Sequence, residues 1–368
     1  MGFSAWARAE RRYSPPYIHQ PGPTMRTRFS LTLLAATALC GTALANDTMS
    51  TLGAGGLVFV QTEDVKMASE DLYVSPDLVR VKYEFTNQTD HDVTTLVAFP
   101  LPDITGSPDF MVSIPTEDGE NIFGFATTFE GEPVDATLHQ YAFATNIDYT
   151  DYLTGLGLPL SPFGEATIQA IDALSDGQKT ELFRRGLVVP MDFDAGQGWQ
   201  REYYPTWTLR STYSWEAVFP AGETVEVEHS YKPSVGGTVA VTFLSPPYED
   251  YDPATEYKRK YCTDESFVNA VRKTLPNQDE PYGAPYSESW LSYIWSTGNN
   301  WQGAIDRFHL TIDKGRPENL VSFCWDGEVT KTSPTTFEMQ AENWWPPYNR
   351  ELEILILNRQ EPMQGTGG

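Results

Sequence analysis

TWTLRSTYSWEAVF, residues 206–219, alternates side chains in the manner of a half-buried strand. Trp207, Leu209, Tyr213, Trp215 and Phe219 fall on odd positions, so an extended backbone points all five to one face. The stretch stops at Pro220-Ala221-Gly222-Glu223, a turn composition. A second alternating run follows, with Val225, Val227 and Tyr231 on one side and Glu226 and Glu228 on the other. Two such runs joined by a short Gly/Pro turn predict a β-hairpin.

The same period recurs elsewhere. Val79, Val81, Tyr83 and Phe85 alternate with Arg80, Lys82 and Glu84, and Phe308, Leu310 and Ile312 repeat the pattern. ELEILIL, residues 351–357, is apolar on both faces and predicts a central strand. Two helical pieces interrupt the strands. Ile168, Ile171 and Leu174 recur every third residue. Ser175-x-x-Gln178 then forms a capping box ahead of Leu182 and Phe183, with Gly186 as a stop. Residues 263–274 are the second, with Phe267, Ala270 and Val271 expected inward. The fold class expected is mainly β, with sandwich-like antiparallel sheets and a helical insertion near 164–186. The Pro-rich, acidic stretch 248–257 would connect a β-rich domain over 46–247 to a second one, or to its continuation, over 258–368.

MRTRFSLTLLAATALCGTALA, residues 25–45, has a basic start, a short apolar run and small residues at Ala43 and Ala45. It reads as a signal peptide cleaved after Ala45, so a periplasmic or secreted protein is expected. Residues 1–24 read as an upstream extension, with Met25 the true start. Leu39 before Cys40 argues against lipid attachment. No later apolar stretch approaches membrane-spanning length. A formal charge of −25 repels nucleic acid and anionic membrane surfaces. Hydrophobic residues at 40% and ten Trp exclude a disordered acidic chain. Of three cysteines, Cys40 leaves with the leader, and Cys262 and Cys324 most simply form one disulfide.

Residues in patterns that carry chemistry are few. His91 lies between Asp90 and Asp92 in an expected turn; His229 shares a face with Val227 and Tyr231; His309 points opposite Phe308 and Leu310; His139 has no informative neighbours. No HExxH, GxSxG or SxxK motif occurs. Asp192-Phe193-Asp194-Ala195-Gly196 starts like a calcium loop but lacks its later ligands, so an ordinary polar turn is expected. No catalytic residue, cofactor or metal is expected. Trp344-Trp345-Pro346-Pro347-Tyr348 precedes the last strand. Adjacent tryptophans in an extended stretch point to opposite sides, so at most one enters the core. Trp344, Trp345 and Tyr348 are therefore the candidate binding surface.

Several phrases resemble one family of exported bacterial proteins, domain of unknown function 4424. They are LGAGGLVFV at 52–60, MASEDL at 67–72, VKYEFT at 81–86 and DVTTLVAFPLP at 92–102. EHSYKP at 228–233, NLVSFC at 319–324 and Thr335-Thr336-Phe337 follow. The early phrases are also broadly similar to adhesive sandwich domains. The family resemblance implies a secreted or periplasmic β-rich protein and transfers no catalytic residue. The expectation is a periplasmic, non-enzymatic protein that binds an unknown envelope protein or polymer. The alternative is a hydrolase acting on a cell-envelope polymer.

Overall fold

A computed structural model describes residues 46–360, apart from 54–55, 109–110, 117–120, 195, 197 and 278–282. The expected leader and upstream extension lie outside the described residues, all of which belong to one compact unit. The fold is mainly β.

Two large sheets face each other. One is ordered Ile147–Asp148, Thr137–Ala144, Thr208–Phe219, Val93–Pro100, Thr48–Gly53, Gly56–Val60, with Ile104–Thr105 also on Thr208–Phe219. The other runs Thr330–Lys331, Thr336–Trp344, Ile305–Asp313, Val65–Val74, Val79–Asn87, Thr224–Tyr231, Ala126–Phe129, Glu132–Val134. Every pairing in both is antiparallel except Ile305–Asp313 with Val65–Val74. Val79, Val81, Tyr83 and Phe85 are all buried against Val97, Phe99, Tyr213 and Phe219 of the opposite sheet. Alternation in sequence thus becomes one apolar face per sheet.

The expected hairpin does not form. Thr208–Phe219 pairs with Val93–Pro100 and Thr137–Ala144, whereas Thr224–Tyr231 pairs with Val79–Asn87 and Ala126–Phe129. The turn at 220–223 carries the chain from one sheet to the facing one. Period-two patterning fixes which side chains are buried, not which strand lies alongside.

A third sheet is ordered Leu320–Phe323, Leu352–Arg359, Tyr286–Tyr293, Gly236–Thr238, Met111–Val112. Its Leu352–Arg359 strand has a covered face on each side. Ile354 and Ile356 enter the main core, while Leu355 and Leu357 pack with Phe243, Tyr261 and Val271 under the helices Pro253–Tyr261 and Glu265–Arg272. That is why the ILIL stretch, 354–357, carries no polar residue. Val271 is buried there, but Ala270 is exposed, contrary to expectation. The helix Pro253–Tyr261 begins inside the stretch expected as a connection, with Asp252 capping it and Pro253 at its first turn. Strands from before and after that stretch pair directly, as Val65–Val74 does with Ile305–Asp313 and Gly236–Thr238 with Tyr286–Tyr293.

The helical insertion comprises Glu165–Asp172 and Asp176–Arg184, preceded by Thr150–Gly155. Ser175 and Gln178 form the expected capping box. Leu153, Ile171 and Leu182 bury against Trp207 and Leu187 as a separate small core. The Cys262–Cys324 disulfide is formed, with Cα atoms 5.1 Å apart, and ties the end of Pro253–Tyr261 to the end of Leu320–Phe323.

Candidate functional site

A cleft of about 450 Å³ opens on the third sheet. Trp290 and Ser292 line it from the strand face opposite Leu291 and Tyr293, which are buried in the main core. Gly236 on the neighbouring strand makes room for the indole: a Cβ there would stand 2.1 Å from Trp290 Nε1. Asp103, Lys260, Tyr348, Arg350, Glu351 and Glu353 are among its other polar lining residues.

Most of these charges are already matched. Lys260 Nζ lies 3.5 Å from Glu353, Arg210 Nε lies 3.2 Å from Asp103, and Arg350 Nη2 donates to Asp326 at 3.1 Å. Burial pushes the Glu353 carboxyl above its usual range against the pull of Lys260. Burial likewise raises Glu351, which accepts hydrogen bonds from the Ser296 hydroxyl and the Trp295 and Ser296 amides. Two polar atoms are left over. Arg350 Nε and Ser234 Oγ are buried without a hydrogen-bond partner among the described residues. No histidine or cysteine lines the cleft. The arrangement offers an aromatic wall and unmatched polar groups rather than a nucleophile beside a base.

The three sequence-nominated aromatics separate. Tyr348 is 67% exposed and lines the cleft. Trp344 turns inward and stacks on Phe308 with ring centroids 3.9 Å apart, beside Trp295 and Trp325. Trp345 is 51% exposed and does not line the cleft. Replacing Trp344 with Ala is expected to cost about 2–3 kcal/mol, below the figure for a fully buried Trp because its burial is partial. Replacing Trp345 should stay within about 0.5 kcal/mol. Urea unfolding of the two single variants checks this, and equal losses would contradict the placement.

The histidines take ordinary places with one exception. His91 is exposed beside Asp90, His139 bonds Ser214 at 2.8 Å, and His309 sits near Asp71 on the surface of its sheet. Asp194 accepts from the Gly196 and Gly198 amides and Asp192 pairs with Arg201, so this loop is occupied by its own contacts. Among the described residues, no group of three His, Cys, Asp or Glu is placed to hold a metal. His229 is the exception. It lies wholly inside the sandwich, 3.0 Å from Asp47, ringed by Phe99, Phe125 and Trp215. Glu70, Tyr83, Tyr293 and Asn46 extend this buried polar cluster. The phrases MASEDL, VKYEFT and EHSYKP supply Glu70, Tyr83 and His229 to it.

With these features in place, the comparisons give the class. A family model described as domain of unknown function (DUF4424) matches residues 45–355. The chain belongs to that family. Among solved structures, a putative nutrient binding protein from Legionella pneumophila subsp. pneumophila str. Philadelphia 1 is similar at a TM-score of 0.44 and 13% identity. The match covers 85% of this chain and 70% of that one. No curated protein matches. No helix among the described residues is long and apolar enough to cross a membrane.

Proposed function

We propose that this is a periplasmic or secreted, non-enzymatic binding protein that holds a small polar ligand in the cleft beside Trp290. The carrying observation is the cleft on the third sheet, walled by Trp290 and the exposed Tyr348 and bordered by Lys260, Arg350 and Glu353. A ligand with both hydrogen-bond donors and acceptors would suit that mixed border. Trp290 supplies the apolar surface against which a ring or short chain would lie. The acidity of the whole chain disfavours polyanions and favours a neutral or zwitterionic ligand.

Native mass spectrometry of protein taken from its own envelope, followed by thermal-shift screening of sugars, amino acids and short peptides, tests this. Arg350→Lys should weaken the binding so found about tenfold or more, because a lysine cannot reproduce the planar guanidinium that Asp326 holds at the cleft. Gly236→Ala should weaken it as well by displacing Trp290. A ligand whose affinity neither change alters does not occupy this cleft.

One observation favours the hydrolase reading: Glu351 and Glu353 both line the cleft and both are raised by burial. Against it, Glu351 is fully hydrogen-bonded and Glu353 is engaged by Lys260. Fragments released from purified envelope polymer, and lost in Glu353→Gln, would reverse the order of the two readings.

A further inference from the structure

Asn46, Asp47 and Thr48 are wholly buried in the sandwich. The Asn46 backbone nitrogen donates to the Thr297 hydroxyl, which returns a bond to the Asn46 carbonyl at 2.6 Å. Its side-chain amide donates to Glu70 Oε2 at 3.1 Å and faces the Trp295 carbonyl at 3.4 Å, while Tyr83 donates to its Oδ1. Trp301 Nε1 holds the Asp47 carbonyl at 2.6 Å. Gly298 leaves the space for this seat, since a Cβ there would come within 2.9 Å of Asn46 Nδ2. The socket is fitted to Asn46 in particular.

Its charges do not balance. Two buried carboxyl groups, Asp47 and Glu70, share one basic neighbour, His229, which lies on Asp47. Among the described residues no Lys or Arg forms an ion pair with Glu70 or Asp47. Asp47 Oδ2 has no hydrogen-bond partner among the described residues. The other titratable groups facing Glu70 are Tyr83 and Tyr293, and burial raises both phenols well above their ordinary range. Among the described residues, no cation pairs with Glu70.

We propose that cleavage of the Ala45–Asn46 bond supplies one: the new α-ammonium of Asn46 becomes the buried counter-charge of Glu70 and locks the processed chain into the sandwich. The cut is the one expected from Ala43 and Ala45, made by an envelope leader peptidase. The oxygen of one water goes to the Ala45 carbonyl carbon, leaving a carboxylate. Both its hydrogens end on the Asn46 nitrogen, which then carries three protons and a positive charge. That nitrogen donates to the Thr297 hydroxyl and belongs to the residue whose own side chain reaches Glu70, so the charge arises in the same buried cluster as the carboxyl. With the peptide bond intact, Glu70 has only neutral donors, and burial holds its carboxyl up to about 8.

The test compares protein processed in the envelope with a chain that begins Met–Asn46, both with the Cys262–Cys324 bridge closed. N-terminal sequencing of the first should begin at Asn46. In the processed chain, Glu70→Gln should lower the folded-to-unfolded ratio about a hundredfold, because it strands a buried ammonium. In the Met-extended chain the same substitution should be neutral or stabilising, because the amide mimics the neutral carboxyl. There, stability should also fall as pH rises from 4.5 towards about 8, since the native state holds a proton that the unfolded state has released. Should Glu70→Gln fail to fold, α-amine labelling of unmutated processed protein decides: it should be at least about a hundredfold slower in buffer than in urea, as a buried ammonium opens only with the fold. A different first residue, an equal effect of Glu70→Gln in both chains, or rapid labelling of the native amine would each overturn the proposal.

Discussion

Replacing His229 with leucine is expected to cost about 3–5 kcal/mol of folding stability, although leucine is apolar and the site is lined by rings. The loss comes from Asp47. Its carboxyl is already raised by burial, and the nearby imidazole is what opposes that rise. Without His229 the carboxyl must either ionise unpaired in the core or fold as the neutral acid. The second is cheaper, so the variant should bind a proton on folding. A carboxyl whose folded pKa lies above its unfolded value gives stability that is present at low pH and lost as pH rises. The His229→Leu chain should therefore weaken progressively above the ordinary Asp value of 3.8, more steeply than the parent. Adding Asp47→Asn should recover part of the loss and flatten the pH dependence. Urea unfolding at several pH values measures all three chains. A leucine variant within about 1 kcal/mol of the parent, with the parent's pH profile, would mean that the pair contributes little.

The sequence made burial legible, but not strand partnership. In VRVKYEFTN the alternation named Val79, Val81, Tyr83 and Phe85 as inward but passed over the buried Asn87, and ELEILIL announced a strand covered on both faces; both patterns follow from the pleat alone. The turn at 220–223 had hairpin composition, yet it joins facing sheets, because a turn's residues specify its bend and not the strand it delivers. Ala270 went astray because the buried stripe runs through Phe267, Val268, Val271 and Leu275, which leaves Ala270 on the solvent side of the helix. The polar cluster was harder still. Asp47, Glu70, Tyr83, His229 and the Tyr293–Thr297 stretch lie far apart in the chain, and Glu70, Tyr83 and His229 each sit between polar neighbours that give no sign of their burial. His229 read correctly as an inward residue, but nothing in its neighbourhood pointed to Asp47, far away in the chain. The cleft was equally hidden, since Trp290, Gly236 and Arg350 meet only through strand pairing. Tyr348 was legible as a candidate only because it follows Trp344 and Trp345 in a stretch ahead of the last strand.

Opening the Cys262–Cys324 bridge is expected to cost about 4 kcal/mol, as the chain-entropy estimate gives for a sequence separation of 62. The bridge is not the sole tie at this junction. The Ser322 hydroxyl donates to the Tyr261 carbonyl at 2.9 Å, so the helix end should stay docked on the strand in the folded reduced protein. The loss should then come mainly from the freer unfolded chain, and equilibrium unfolding should report it without a change in the native far-UV signal. Position 262 adds a distinguishing feature. Cys262 closes its helix with φ of 54°, in the left-handed region where side chains other than glycine are strained. Cys262→Ser loses the bridge and keeps the strain, whereas Cys262→Gly loses the bridge and relieves it. The glycine variant should therefore be the more stable of the two by about 1 kcal/mol, the usual preference for glycine at a left-handed helix end. Cys324→Ser should match Cys262→Ser, because both remove the same cross-link and neither relieves the helix cap. Alkylation with intact-mass analysis confirms the bridge in the starting protein, and urea unfolding ranks the three variants. Two alkylated cysteines without reductant would refute the bridge, and a glycine variant no better than serine would place the strain elsewhere.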